Sequence, residues 1–259
     1  MVEEKLTEAS IKKDLDTSFI GQRIIYRSQI PSTMKFARKE VLKGTPEGTV
    51  IIAGEQTAGE GRIGRFWSSP KGCIALSIIL YPKKAYLPLL IMVASLAVLN
   101  TIKSVTGLYP KIKWPNDILI NDKKVCGILV ESGVRGSNDS YAIIGIGINV
   151  NLEAACIGEV SLAATSLYDE LGRQVSRLQI IRKLLSEIER LCILAQDGEA
   201  VFKEWRLSLE TLGKLVDVSS GNDLYEGIAE SVERDGSLIL RLKDGSLKRI
   251  VAGDVTLRH

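Results

Sequence analysis

The sequence predicts an α+β protein: a mixed sheet covered by helices, with a small β-barrel after it. Two observations carry this. Up to residue 211, short strand-like apolar runs are interspersed with helical segments, of which Leu178, Ile181, Leu184, Leu185, Ile188 and Leu191 keep the i, i+3, i+4 rhythm. Beyond Gly213 only short strands follow, with Asp235-Gly236 and Asp244-Gly245 as hairpin turns. The boundaries read as a helical extension over 1–19, a main domain over 20–211 and a barrel over 212–259.

The elements justify themselves in order. Residues 3–15 read as a short amphipathic helix with Leu6, Ile11 and Leu15. Arg23 to Arg27 is a strand, and Met34 to Lys43 a helix stopped by Gly44. Ser32 or Thr33 caps that helix, or else these hydroxyls face a polar ligand head. Thr49 to Ala53 is a buried strand, as is Cys73 to Leu80. Leu87 to Leu99 is almost wholly apolar but shorter than the roughly 20 residues that span a membrane, so it reads as a core helix.

Lys111 to Trp114 alternates as a strand, and Pro115 ends its ladder because it has no N–H to donate. Asn116 and Asp117 then sit at a strand end, as site residues or as turn formers. Ile118 to Ile120 leads into a turn over Asn121 to Lys124, and Val125 to Glu131 returns. A lysine in such a turn is ordinarily solvated surface. Tyr141 to Ile148 is a strand whose Gly145 and Gly147 suggest close approach of a ligand or another backbone. From Glu159 the chain turns helical, with a second short helix over Val201 to Leu209.

The stretch from Gln56 to Trp67 is the most unusual. Gly59, Gly61 and Gly64 permit positive φ and close backbone approach, while Arg62 and Arg65 offer forked donors to carboxylate or phosphate. The Gly-x-Gly-x-x-Gly spacing matches the dinucleotide fingerprint, but that motif needs a helix directly after it. Phe66 to Gly72 is turn-rich without helical period, which rejects a Rossmann fold.

Composition narrows the function. Hydrophobic residues at 45% and charged residues at 25% are ordinary for a soluble globular protein, and a net charge of +3 gives no case for nucleic acid. Cys73, Cys126, Cys156 and Cys192 form no CxxC and suit a reducing cytoplasm. The charged N-terminus lacks the apolar core of a signal peptide. The single histidine is the last residue, His259, which argues against Ser-His-Asp and Cys-His catalysis and against a histidine-built zinc site. Chemistry falls to Lys, Arg, Asp, Glu and backbone groups.

Three stretches together resemble the biotin protein ligases. Gln56 to Arg65 resembles that family's glycine-arginine loop, Lys113-Trp114-Pro115-Asn116-Asp117 its most recognisable pentapeptide, and Lys124 to Glu131 its lysine-bearing return strand. The order of the three and the ending Asp254 to Arg258 fit too, so the resemblance covers nearly the whole chain from residue 20. It implies a catalytic domain like that of class II aminoacyl-tRNA synthetases with an SH3-like barrel after it. It also implies an ATP-dependent, AMP-forming ligase that makes biotinyl-5′-AMP and passes biotin to one lysine of a carboxylase's biotin carboxyl carrier protein. Mg²⁺ would be held with ATP rather than by a fixed metal site. Relatives of this kind often pair through sheet edges, so a homodimer is among the expectations.

Carried over by position, the resemblance places Ser32, Thr33, Met34, Gln56, Glu60, Gly61, Arg62 and Lys124 around biotin. Arg62, Arg65, Trp67, Asn116, Asp117, Lys124 and Asn149 would line the ATP side, with Lys124, Arg62 and Asp117 at the reacting centre. The chemistry agrees: a carboxylate is already a nucleophile at neutral pH, so the first step needs cations around two anions and no histidine base. Two departures stand out. Glu60 replaces the usual arginine and is expected to weaken retention of the adenylate; Met34 replaces a frequent asparagine and leaves only a backbone contact. Many bacterial members also carry an N-terminal DNA-binding domain, and the short extension here reads as a ligase alone. The alternatives are a lipoate ligase of the same superfamily and a biotin-binding protein without turnover; pyrophosphate release with biotin, with lipoate and with neither separates them.

Overall fold

The computed structural model describes residues 5–135, 139–153 and 163–258. Cys156, His259 and the stretch after Glu159 up to residue 162 lie outside them. A seven-stranded sheet forms the main domain in the order β1 (Ile24–Arg27), β2 (Val50–Ala53), β3 (Ile74–Leu80), β7 (Asp139–Ile148), β6 (Lys123–Arg135), β5 (Asp117–Ile120), β4 (Lys111–Lys113). Only β1 and β2 run parallel, so the sheet is mixed.

Alternation along the strands assigns the faces. Val50 and Ile52 of β2, Ile74, Leu76, Ile78 and Leu80 of β3, Ile144, Ile146 and Ile148 of β7, and Ile128 of β6 join one large core. That core is covered by α3 (Leu90–Thr106), α5 (Arg177–Leu194) and α6 (Gly198–Leu207). Ile51, Ile79 and Ile143 point to the opposite face and pack with Met34, Ala37 and Val41 of α2 (Thr33–Leu42).

Several expectations shift. The N-terminal helix α1 covers only Glu8–Lys12, opened by a Thr7–Ser10 capping box and followed by Asp14 at φ 58°. The apolar helix starts later and runs further than Leu87–Leu99. A 3-10 turn over Lys84–Leu89 contains Pro88, and α3 then continues to Thr106 with Gly107 as a left-handed cap. Together Lys84–Thr106 is long and apolar enough to cross a membrane by length and composition, but ten positions of α3, from Leu90 to Ile102, are buried within the protein. Lys124 is not in the hairpin turn. Asn121 and Asp122, both at positive φ, make a tight turn and β6 begins at Lys123.

The chain after Arg62–Gly64, itself a single 3-10 turn, runs without helix into β3, in keeping with the rejection of a Rossmann motif. A short helix α4 (Leu167–Leu171) precedes α5. The C-terminal strands form a five-stranded antiparallel sheet in the order β11 (Leu247–Ile250), β10 (Leu238–Leu242), β9 (Asp223–Val232), β8 (Leu215–Ser220), β12 (Asp254–Leu257). Its inner face is Val216, Val218, Ala229, Leu238, Leu240 and Val255. Trp114, 1% exposed, keys this unit to the main domain: its indole Nε1 donates to Gly236 O at 2.8 Å and its backbone N to Thr211 Oγ1 at 2.9 Å.

Candidate active site

A cleft of about 520 Å³ opens on the α2 face of the large sheet, where the strand residues become small. Gly127 and Gly147 are direct cross-strand partners on β6 and β7 and form a floor for the Trp67 ring. A Cβ on Gly147 would come within 2.2 Å of Trp67 Nε1, and one on Gly127 within 2.9 Å of the same ring. Gly145 makes the same allowance for Met34, whose Sδ would lie 2.6 Å from a Cβ there. The close approach expected at Gly145 and Gly147 is thus made by side chains of the protein itself.

Lys124 reaches this floor through a β-bulge. Ile118 pairs with Cys126, but Leu119 pairs with Lys124, so Val125 is the extra residue. Val125 and Cys126 are adjacent, yet both are fully buried in the large core. The bulge therefore resets the alternation, and Lys124 shares the cleft face with Gly127. Its Nζ pairs with Asp117 Oδ1 at 2.6 Å and lies 5.3 Å from the centre of the Trp67 ring.

The glycine-arginine loop folds back as a small hairpin. Trp67 N donates to Gly59 O at 2.9 Å and Gly61 N to Arg65 O at 2.8 Å, and a Cβ on Gly59 would collide with Trp67 O at 2.3 Å. Arg62 reaches across the cleft: Nη1 donates to Asn116 Oδ1 at 3.0 Å and to Gly253 O at 3.1 Å, and stands 3.5 Å from Asp254 Oδ1. Arg65 Nη2 pairs with Asp254 Oδ2 at 2.6 Å. The loop thus closes against β12 of the small domain. Burial pulls the Arg62 guanidinium below its usual range against the opposing pull of Asp254 and Asp117, and burial likewise lowers Lys113, with Asp117 opposing. Cations held at a desolvation cost favour an arriving anion.

On the opposite wall, Gln56 Oε1 accepts from Thr33 N at 2.7 Å and Thr33 Oγ1 at 3.1 Å, while its Nε2 donates to Ser69 Oγ at 2.9 Å. Ser77 Oγ donates to Thr33 Oγ1 at 2.8 Å. Asn149 is buried, and its Nδ2 donates to Thr165 O at 3.0 Å.

Thr33, Met34, Gln56, Glu60, Gly61, Arg62, Arg65, Trp67, Asn116, Asp117, Lys124 and Asn149 all line this one cleft. Ser32 does not. It is the N-cap of α2, accepting from Lys35 N at 3.2 Å, and its hydroxyl donates to Glu60. Glu60 turns to Arg38, Lys35 and Ser32. It is not among the charges that perturb Arg62. Sequence reasoning missed Lys113 and Asp254 as site residues, although the quoted pentapeptide contains the first and the quoted C-terminal ending the second. Burial pushes the Cys73 and Cys192 thiols up to about 12 and the Cys126 thiol further up, so none serves as a nucleophile at neutral pH. Among the described residues no group of three or more His, Cys, Asp or Glu side chains could hold a metal.

Comparison with known proteins agrees with this geometry. Residues 26–149 match the Biotin/lipoate A/B protein ligase family, and residues 211–258 match the Biotin protein ligase C terminal domain. The chain is 34% identical to the bifunctional ligase/repressor BirA of Bacillus subtilis, over 98% of this chain and 79% of that protein. It is 35% identical to a biotin--[acetyl-CoA-carboxylase] ligase of Paracoccus denitrificans, over 74% of this chain and 83% of that protein. A solved structure, the biotin protein ligase from Aquifex aeolicus in complex with biotin and ATP, superposes with a TM-score of 0.78 at 26% identity, covering 92% of this chain and 99% of that one. A chain with this mixed sheet, this glycine-floored cleft, this C-terminal domain and these relatives belongs to the biotin protein ligase family.

Proposed function

We propose that the protein joins biotin to ATP and then transfers biotin to a lysine of a biotin carboxyl carrier protein. In the first step a biotin carboxylate oxygen attacks the α-phosphorus, the bond to the β-phosphate bridging oxygen breaks, and pyrophosphate leaves. In the second the acceptor lysine amine attacks the acyl carbon, and AMP leaves. The observation that carries this reading is Lys124, set by the bulge against Asp117 over the Trp67 ring, with Arg62 facing the same cleft.

Thr33, Met34, Gln56, Glu60 and Gly61 form the wall assigned to biotin, and Ser32 supports it as the cap of α2. Gln56 and Thr33 already satisfy each other, so they present a fixed polar edge. Lys124 and Arg62 bring the two anions together and stabilise charge developing on the phosphate. Arg65, Trp67, Asn116, Asp117 and Asn149 form the nucleotide side, and Lys113 adds a further cation there. Among the described residues the donor set does not fit a resident metal; Mg²⁺ would arrive with ATP and offset its phosphate charge, and Asp117 is one of the carboxylates lining the cleft that would hold it.

The test is incubation with MgATP, a biotin-carrier domain and biotin, lipoate or neither, reading pyrophosphate release and acceptor mass. One biotin on one lysine is expected. Labelling by lipoate alone assigns the sister activity, and binding without pyrophosphate release assigns a binding protein.

A further inference from the structure

Glu60 is the one acid in the glycine-arginine loop, at a position where the loop's anion-gripping role disfavours negative charge. Its carboxylate is engaged by Arg38, Ser32 and Lys35 rather than by the arginines of its own loop. Arg38 Nη2 donates to Glu60 Oε2 at 2.9 Å, Ser32 Oγ donates to the same oxygen at 3.3 Å, and Lys35 Nζ stands 3.7 Å from Oε1. Ser32, Lys35 and Arg38 recur every three residues from the start of α2, so they share one helix face. Arg38 is in turn fixed from behind: Nε donates to Glu131 Oε2 and Nη2 to Glu131 Oε1, both at 2.8 Å. A planar fork presents its donors to two carboxylates in a fixed geometry that a lysine's point charge reproduces only in part.

Glu60 sits two residues before Arg62 and pairs with Phe66 across the loop hairpin. One limb of the loop is therefore tied to α2 and β6, while Arg62 and Arg65 tie the other to β12. We propose that Arg38 is a positioning residue that, through Glu60, holds the glycine-arginine loop shut over the cleft before any ligand arrives and so slows escape of the acyl-adenylate. The charge of Glu60 then strengthens retention, opposite to the effect expected from its sign alone. The retention half of the proposal rests on the adenylate chemistry proposed above; the closure half does not.

The experiment uses the full chain with E60Q, R38Q, R38K and the double variant R38Q/E60Q. Limited trypsinolysis without ligand, followed by mass spectrometry, reads cleavage at Arg62 and Arg65. Release of biotinyl-AMP, formed in situ and chased with unlabelled biotin, reads retention. E60Q and R38Q should each speed both processes roughly three- to tenfold, with R38K between them and wild type. The double variant should match the faster single within about twofold, because both substitutions remove one contact. Added NaCl should speed cleavage of the wild type more than that of the double variant, which keeps only the ion pairs of Arg62 and Arg65 with Asp254 to be screened. Wild-type cleavage in both single variants, or effects that add in the double, overturns the clamp. Faster cleavage with unchanged adenylate release overturns its role in retention. A wild type that forms no adenylate overturns the proposed function, while the cleavage data still decide the clamp.

Discussion

The two faces of the seven-stranded sheet are built from alternate residues of the same strands, and they differ in what those residues are asked to do. Toward α3 and α5, β7 presents Ile144, Ile146 and Ile148, all nearly inaccessible and interdigitated with other apolar side chains. Toward α2 it presents Ile143, then Gly145, then Gly147. The same one-residue step therefore separates a dry, close-packed layer from a floor with its side chains removed. The apolar face supplies burial, which is non-directional and tolerant of which branched residue is used. The other face supplies space and placed charge, where the addition of one carbon matters. Stability and chemistry can be perturbed separately although they share a backbone.

The sharpest way to break the comparison on the dry side is Ile144→Ala. It removes a fully buried side chain from the large core and should cost about 2–5 kcal/mol in urea unfolding, with KM for biotin and ATP unchanged in the folded fraction. A matching loss of ligand affinity would show that the two faces are not separable.

On the cleft side, Lys124→Ala should slow adenylate formation at least about a hundredfold, roughly 3 kcal/mol of transition-state stabilisation. Its pairing with Asp117 means that stability should also move, by at most about 1 kcal/mol. Exposed Lys123→Ala is the control and should be silent in both pyrophosphate release and melting. Damage at Lys123 with Lys124 spared would reverse the assignment.

Gly147→Ala adds one carbon where the Trp67 ring lies and should evict the indole from its floor. We expect KM for ATP to rise about tenfold or more with only a small change in melting, because displacement of a positioning group by about 1 Å can cost that much. Unchanged ATP kinetics would mean that Trp67 does not need its floor.

The smallest effect concerns the helix layer behind the dry face. Glu189 of α5 is buried, which alone would raise its pKa, but it accepts from the backbone amides of Phe19, Ser18 and Ile20 and from the Ser18 hydroxyl, and the net shift is below 4.5. A carboxylate with a lowered folded pKa contributes stability that is present above 4.5 and lost as pH falls through the folded value. Glu189→Gln should therefore cost about 1–2 kcal/mol at neutral pH and flatten the stability profile below 4.5. An unaltered acid limb would assign that loss to other carboxylates.

Much of this was legible in the sequence, because local rules were strong enough to decide it. The apolar alternation of Ile74, Leu76, Ile78 and Leu80, the helical rhythm from Leu178 to Leu191 and the Asp-Gly turns near the C-terminus each specify an element whatever surrounds it. The glycines at 59, 145 and 147 announced close approach, since only a missing Cβ permits it. The resemblance to the biotin protein ligases, and no local rule, named the site residues, and the fold brings twelve of them into one cleft from segments separate in sequence.

Three matters were decided only by the tertiary structure. Which way Lys124 points depends on the bulge at Val125, and a bulge is set by pairing with β5 rather than by the residues of β6 alone. Where Glu60 directs its charge depends on Arg38 and Glu131, far from it in sequence and brought beside it by α2 and β6. The partner of Arg62 on the small domain, Asp254, is 192 residues away, and it reaches the cleft because Trp114 docks that domain against the sheet. Periodicity and propensity are local, and so they write elements into a sequence. The direction of a charge is a property of everything packed around it, and no window of neighbouring residues contains that information.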